Sequence, residues 1–220
     1  MRTTLGIFIA LSLGLVGAGT ADEGVIRGRT LTESGKPEPG VKIRVNRMDD
    51  RGQAKAIRYV ETDPDGAFVM DKLAWGTYRV LTWKETARYP NMAFSFYSND
   101  TSPIVKIDRD RPVAEITINL GPKAGLISGT VIDAATGQPV NPGVHLWRIL
   151  NPNRWIETAV NGSGFELLVP PDVPVGLTFQ ADGYREWTYP GPNATAANGP
   201  LVIHSGDKLS LDVRLERAAR

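Results

Sequence analysis

Two histidines, His145 and His204, and no cysteine limit the chemistry open to this chain of 220 residues. Without cysteine there is no thiolate nucleophile and no thiolate metal ligand. Neither histidine stands in a His-x-His or His-Glu-x-x-His pattern, so the spacing that sets two imidazoles on one metal is missing. Gly162-Ser163-Gly164 reads as a loop between strands and not as a Gly-x-Ser-x-Gly nucleophile elbow. No cofactor and no metal are therefore expected. What remains is a group of aromatic and polar residues in the second half: His145, Trp147, Trp155, Glu157, Tyr184, Trp187 and Tyr189. Flat indole faces suit sugar rings or peptide side chains, and neighbouring polar groups fix orientation by hydrogen bonds. The chemistry these residues offer is recognition.

Their spacing says how they meet. Around Val144 and Leu146, apolar and outward positions alternate, and the outward ones are His145, Trp147 and Ile149. Asn151-Pro152-Asn153 then turns the chain into Arg154-Trp155-Ile156-Glu157-Thr158-Ala159. A hairpin centred on Asn151 sets Trp147 opposite Trp155 and His145 opposite Glu157. Tyr184, Trp187 and Tyr189 lie in the Gly- and Pro-rich stretch that runs to Pro200, where they are expected to extend the same platform. The competing arrangement packs Trp147 and Trp155 against the first half, where Leu81 and Trp83 also face outward. The matching positions of the first half, Lys42, Arg44 and Asn46, predict a solvated face there.

The elements that must carry these residues are strands. Val41 to Asn46, Ala114 to Leu120 and Leu209 to Leu215 alternate apolar and polar residues with period two. The 23 Gly and 16 Pro punctuate such short runs, which is the pattern of an all-β chain, and helix content should be very low. The chain also repeats itself at an offset near 100 residues. Gly24-Val25-Ile26-Arg27-Gly28 matches Gly125-Leu126-Ile127-Ser128-Gly129, and Pro39-Gly40-Val41 matches Pro142-Gly143-Val144. The turn Ser34-Gly35-Lys36-Pro37 has its counterpart in Thr136-Gly137-Gln138-Pro139. Two copies of one fold are expected, over residues 22–121 and 122–220, joined at Gly121-Pro122-Lys123.

The motifs between those landmarks carry a resemblance. A Gly-x-Pro turn into Gly40-Val41, then Thr62-Asp63-Pro64-Asp65-Gly66-Ala67-Phe68, then Leu73-Ala74-Trp75-Gly76-Thr77-Tyr78-Arg79-Val80, resembles the carboxypeptidase regulatory-like domain. The second copy departs from it, with Gly176-Leu177-Thr178 where Gly-x-Tyr would stand, although Ala181-Asp182-Gly183-Tyr184 fits. The resemblance implies two tandem transthyretin-like Greek-key β-sandwiches of seven strands each, add-on modules of exported proteins that rarely catalyse. Enzymes on similar folds need more. The hydroxyisourate hydrolases end in Tyr-Arg-Gly-Ser, whereas this chain ends Glu216-Arg217-Ala218-Ala219-Arg220. The intradiol dioxygenases use two His and two Tyr on iron; His145, His204, Tyr184 and Tyr189 supply the types without a close pair of histidines.

The amino terminus adds a compartment. Arg2 precedes an uncharged run from Leu5 to Val16, then Gly17-Ala18-Gly19-Thr20-Ala21 and the acidic Asp22-Glu23. That order reads as a signal peptide over residues 1–21, cleaved after Ala21. The run falls short of the roughly 20 residues that span a bilayer, so no membrane anchor is expected after cleavage. With 25 Lys and Arg against 24 Asp and Glu, there is no basic excess to hold nucleic acid. The sequence thus predicts a periplasmic or secreted, non-enzymatic binding protein for a polysaccharide, peptide or protein partner. Its alternatives are a rigid spacer and an iron-dependent or hydrolytic enzyme.

Overall fold

A computed structural model of the protein describes residues 23–97, 102–160, 162, 164–191 and 199–219. The signal peptide expected over 1–21 lies outside the described residues. In chain order the first half contributes β1 (Glu23–Leu31), β2 (Lys42–Met48), β3 (Ala54–Glu61), β4 (Ala67–Ala74), β5 (Gly76–Trp83), β6 (Ile104–Ile107) and β7 (Val113–Asn119). The second contributes β8 (Gly125–Asp133), β9 (Gly143–Arg148), β10 (Asn151–Ala159), β11 (Gly164–Val169), β12 (Val175–Gln180), β13 (Trp187–Thr188) and β14 (Lys208–Leu215). Helix among the described residues is one 3₁₀ turn, Glu85–Ala87.

Each half pairs its strands identically. A three-stranded sheet runs β4-β1-β7 in the first half and β11-β8-β14 in the second; a four-stranded sheet runs β3-β2-β5-β6 and β10-β9-β12-β13. The first and last strands of each half are parallel, while the other ladders are antiparallel. The fold is all-β, two tandem Greek-key sandwiches of the transthyretin type. The repeated glycine of the first strand has a physical cause. A Cβ at Gly28 would collide with the carbonyl oxygen of Ile116, and one at Gly129 with that of Leu211, so both copies need bare backbone against the last strand.

Period-two alternation fills each core from one face of each sheet. Ile26, Val41, Ile43, Phe68, Met70, Tyr78 and Val80 close the first core. Ile127, Val144, Leu146, Phe165, Leu177, Phe179 and Val213 close the second.

The two halves meet through the connection between β5 and β6. It leaves the first sandwich at Lys84 and drives Phe96 into the second core, where the ring is fully buried. Arg148, at the end of β9, donates from Nε to the Phe96 carbonyl at 2.8 Å. The Tyr97 hydroxyl donates to the Leu168 carbonyl at 3.1 Å, and burial, followed by the charge of Glu85, pushes that phenol up. Arg88 donates from Nη1 to the Gly206 carbonyl (2.6 Å), and its own carbonyl accepts the Ala124 N–H (2.9 Å). The interface is thus a loop seated in a core. It is not the Trp147–Trp155 face packed on Leu81 and Trp83: Trp155 is 48% exposed, and Leu81 is buried beside Met92 and Ala93 of the same loop.

Candidate functional site

Strand β9 places Val144 and Leu146 in the core and leaves His145 and Trp147 on the outer face. The β9–β10 ladder shifts between Asn151 and Trp155, so Pro152, Asn153 and Arg154 step out of register. Beyond that irregularity Trp155 stands opposite Trp147 and Glu157 opposite His145. The expected cross-strand pairs are those the register contains, but the turn is Ile149-Leu150 and not Asn151-Pro152-Asn153, which already belongs to β10.

Side-chain geometry turns this row into one surface. The His145 ring stacks on Trp155, with centroids 5.6 Å apart and planes 22° apart, and meets Trp147 edge-on at 5.3 Å and 71°. Glu157 Oε1 lies 3.4 Å from His145 Nδ1, an ion pair whenever the imidazole is protonated. Trp147 lies flat because β12 offers no side chain beneath it: a Cβ at Gly176 would fall inside the indole. Next to Gly176 the outer face turns polar, with Thr178 opposite His145 and Thr188 opposite Thr178. Gln180 donates to the Glu186 carboxylate, and Thr188 Oγ1 donates to Glu186 Oε1 at 3.2 Å. An aromatic centre flanked by carboxylate, amide and hydroxyl groups is a surface for stacking and hydrogen bonding.

The remaining expected residues go elsewhere. Trp187 is buried on the inner face, edge-to-face with Phe179 at 5.6 Å and 72°. Strand alternation sends Thr188 outward instead, so Trp187 does not extend the platform. Tyr189 packs against the second core and donates its N–H to the Leu177 carbonyl at 3.0 Å. Tyr184 packs on the same core and donates its hydroxyl to Asp133 Oδ2 at 2.9 Å. Arg217 Nε donates to that same oxygen at 2.8 Å. The Arg217 guanidinium, then the Thr136 N–H, hold the Asp133 carboxyl well below the usual carboxylate range; the bond to Asp133 raises the Tyr184 phenol. These two tyrosines are structural.

The histidines meet different partners as well. His204 Nδ1 pairs with Asp172 Oδ1 at 2.5 Å, which raises the imidazole pKa, while His145 pairs with Glu157. Among the described residues no group of three or more His, Asp or Glu is placed to hold a metal ion. Sequence reasoning missed Gly176, Thr178, Gln180, Glu186 and Thr188. The Gly176 gap beside a tryptophan strand was the one signal available for them.

The equivalent face of the first half differs from its expected solvated character. Tyr59 on β3 stands opposite Arg44 and is 63% exposed, and Trp83 on β5 stands opposite Lys42. The two rings meet edge-on at 6.0 Å and 88°. Its aromatic groups come from the strands flanking β2: Trp83, expected to face outward, and Tyr59, which the alternation of β2 does not announce.

No family model and no curated protein matches the chain. Solved structures do resemble it. A streptococcal ancillary pilin is 14% identical with a TM-score of 0.35, covering 92% of this chain, which spans 64% of that one. The minor pilin of Streptococcus agalactiae is 12% identical with a TM-score of 0.38, covering 90% of this chain and 97% of that one. Shaft pilin SpaA of Lactobacillus rhamnosus GG is 10% identical with a TM-score of 0.33, covering 90% and 99%. At such low identity and superposition scores these likenesses carry no argument about what this chain does.

Proposed function

We propose that this chain is an exported, non-catalytic binding protein whose two halves are carboxypeptidase regulatory-like modules. The second half engages a polysaccharide through His145, Trp147, Trp155 and Glu157. The observation that carries this reading is the stack of His145 on a half-exposed Trp155, with Trp147 laid flat beside it on one outer sheet face. Two indoles spaced across adjacent strands suit pyranose faces, and Glu157, Gln180 and Thr188 offer polar groups for ring hydroxyls on the same sheet. Exposed aromatic patches of this kind mark interaction sites in soluble proteins.

The test is a glycan array probed with the mature protein and with Trp155→Ala. Trp155 is half exposed, so its removal leaves the fold intact. The expected result is a glycan hit weakened in the variant by about 2 kcal/mol, roughly thirtyfold. An array silent for both proteins, or hits unchanged by the substitution, would count against the sugar reading. A second reading, a rigid spacer, is favoured by a separate observation: Phe96 of the first half is sealed in the core of the second, which fixes their relative placement.

A further inference from the structure

We infer that the outer sheet face of the first sandwich binds an acidic polysaccharide, a chain of pyranose rings that carry carboxylates. In β2 the core takes Ile43 and Val45, so Lys42 and Arg44 point outward. Tyr59 of β3 stands opposite Arg44, and Trp83 of β5 stands opposite Lys42. The two aromatic residues are therefore diagonal to each other, and their rings meet edge-on over β2 at 6.0 Å and 88°. An aromatic bridge thus crosses the strand between two cations whose backbone positions are about 7 Å apart. Ile57, the next outward residue of β3, is exposed and continues the apolar strip.

The charge on this face is one-sided. Alternation sets Lys42, Arg44 and Arg79 on it against one carboxylate, Glu61. Glu61 Oε1 lies beside Gly40, ahead of β2 and away from Arg44. Among the described residues no carboxylate forms an ion pair with any of the three cations. Asn46, itself buried, accepts from Arg44 Nε at 2.8 Å, which holds the guanidinium in place and leaves its Nη groups for an anion. Such a fork matches a carboxylate. A uronate meets both demands within one residue, because its apolar ring face stacks on an aromatic ring and the same ring bears the carboxylate. An acidic peptide would use the cations and leave the rings bare. A nucleic acid strand stacks successive bases on ring faces, and an edge-on pair does not present two of them side by side. The corresponding face of the second sandwich carries Glu157 and Glu186 and repels a polyanion. The two faces share no residue, so this site does not rest on the sugar reading of the second half.

The experiment is calorimetric titration of the mature chain at low ionic strength with an oligogalacturonate. Its controls are the fully methyl-esterified oligomer, which keeps the rings without the charge, poly-glutamate, which keeps the charge without the rings, and oligothymidylate. Binding is expected for the oligogalacturonate alone, weakening as salt is raised. Lys42→Gln with Arg44→Gln should lower the affinity about fivefold. Tyr59→Ala should lower it about tenfold, while Trp155→Ala leaves it unchanged. Tyr59 is 63% exposed and Lys42 is exposed, so circular dichroism of the variants should match the parent. A silent titration overturns the inference. Equal binding of the methyl ester overturns it too, since the cations would then read nothing. So does equal binding of poly-glutamate or oligothymidylate, which would assign the face to another polyanion. Unchanged affinity in Tyr59→Ala, or loss of affinity in Trp155→Ala, would place the ligand elsewhere and overturn it as well.

Discussion

At the scale of single residues, the aromatic face depends on what β12 lacks. Trp147 lies flat only because Gly176 has no Cβ, and a flat Trp147 leaves room for His145 to meet both indoles. Gly176→Val drives two methyl groups into the indole and lifts it from the sheet. The expected cost is about 1–3 kcal/mol, as for other overpacked sites. The readout that separates this from simple destabilisation is the near-ultraviolet dichroism of the tryptophans, which should change in the folded state. An unchanged spectrum with unchanged stability would mean that Trp147 is not seated on Gly176. The opposite pairs were legible in the sequence but their cause was not: the chain turns at Ile149-Leu150, Asn151 already pairs with Arg148, and the irregularity between Asn151 and Trp155 supplies the offset that the expected turn at Asn151 would have given. Nor was the seat of Trp147 legible, since a glycine in a strand reports only missing bulk until its cross-strand neighbour is known.

At the scale of elements, the carboxyl-terminal segment is tied down by a charge. Asp133 at the end of β8 accepts from Arg217 and Tyr184, and its Oδ1 accepts the Ala135 and Thr136 N–H groups. The Arg185 N–H donates to the Glu216 carbonyl, so the segment after β14 runs beside residues 183–185. The carboxyl pKa lies below its unfolded value of about 3.9, so the folded state binds this proton less readily than the unfolded state. The stability it contributes is present above about pH 4 and is lost as pH falls below that value. Asp133→Asn should flatten the acid limb of the stability profile; an acid limb as steep as the parent's would show that other carboxylates carry it. The type of Tyr184 and its Gly-rich neighbourhood point to the aromatic platform. Its actual partner lies 51 positions away, a pairing that no local pattern announces. Trp187 failed for the opposite reason: β13 is only two residues long, too short for alternation to be read.

At the scale of the molecule, the repeat in the sequence suggests two independent beads, yet the structure interlocks them. The first half's β5–β6 connection fills part of the second half's core, and Arg148, Leu168 and Gly206 all bond to it. Nothing in the motif Met92-Ala93-Phe94-Ser95-Phe96-Tyr97 says which core receives its aromatics, because burial across a domain boundary leaves no periodicity. The energetic consequence is coupling. Phe96→Ala removes a fully buried ring and should destabilise the second half by about 3–5 kcal/mol. With the ring in place, the second core cannot open without releasing the loop of the first, so the parent should melt as one transition in scanning calorimetry. With Ala at this position the second half should melt first and the trace should split in two. If the parent already shows two transitions, and the substitution moves neither, the halves are thermodynamically separate despite the shared ring.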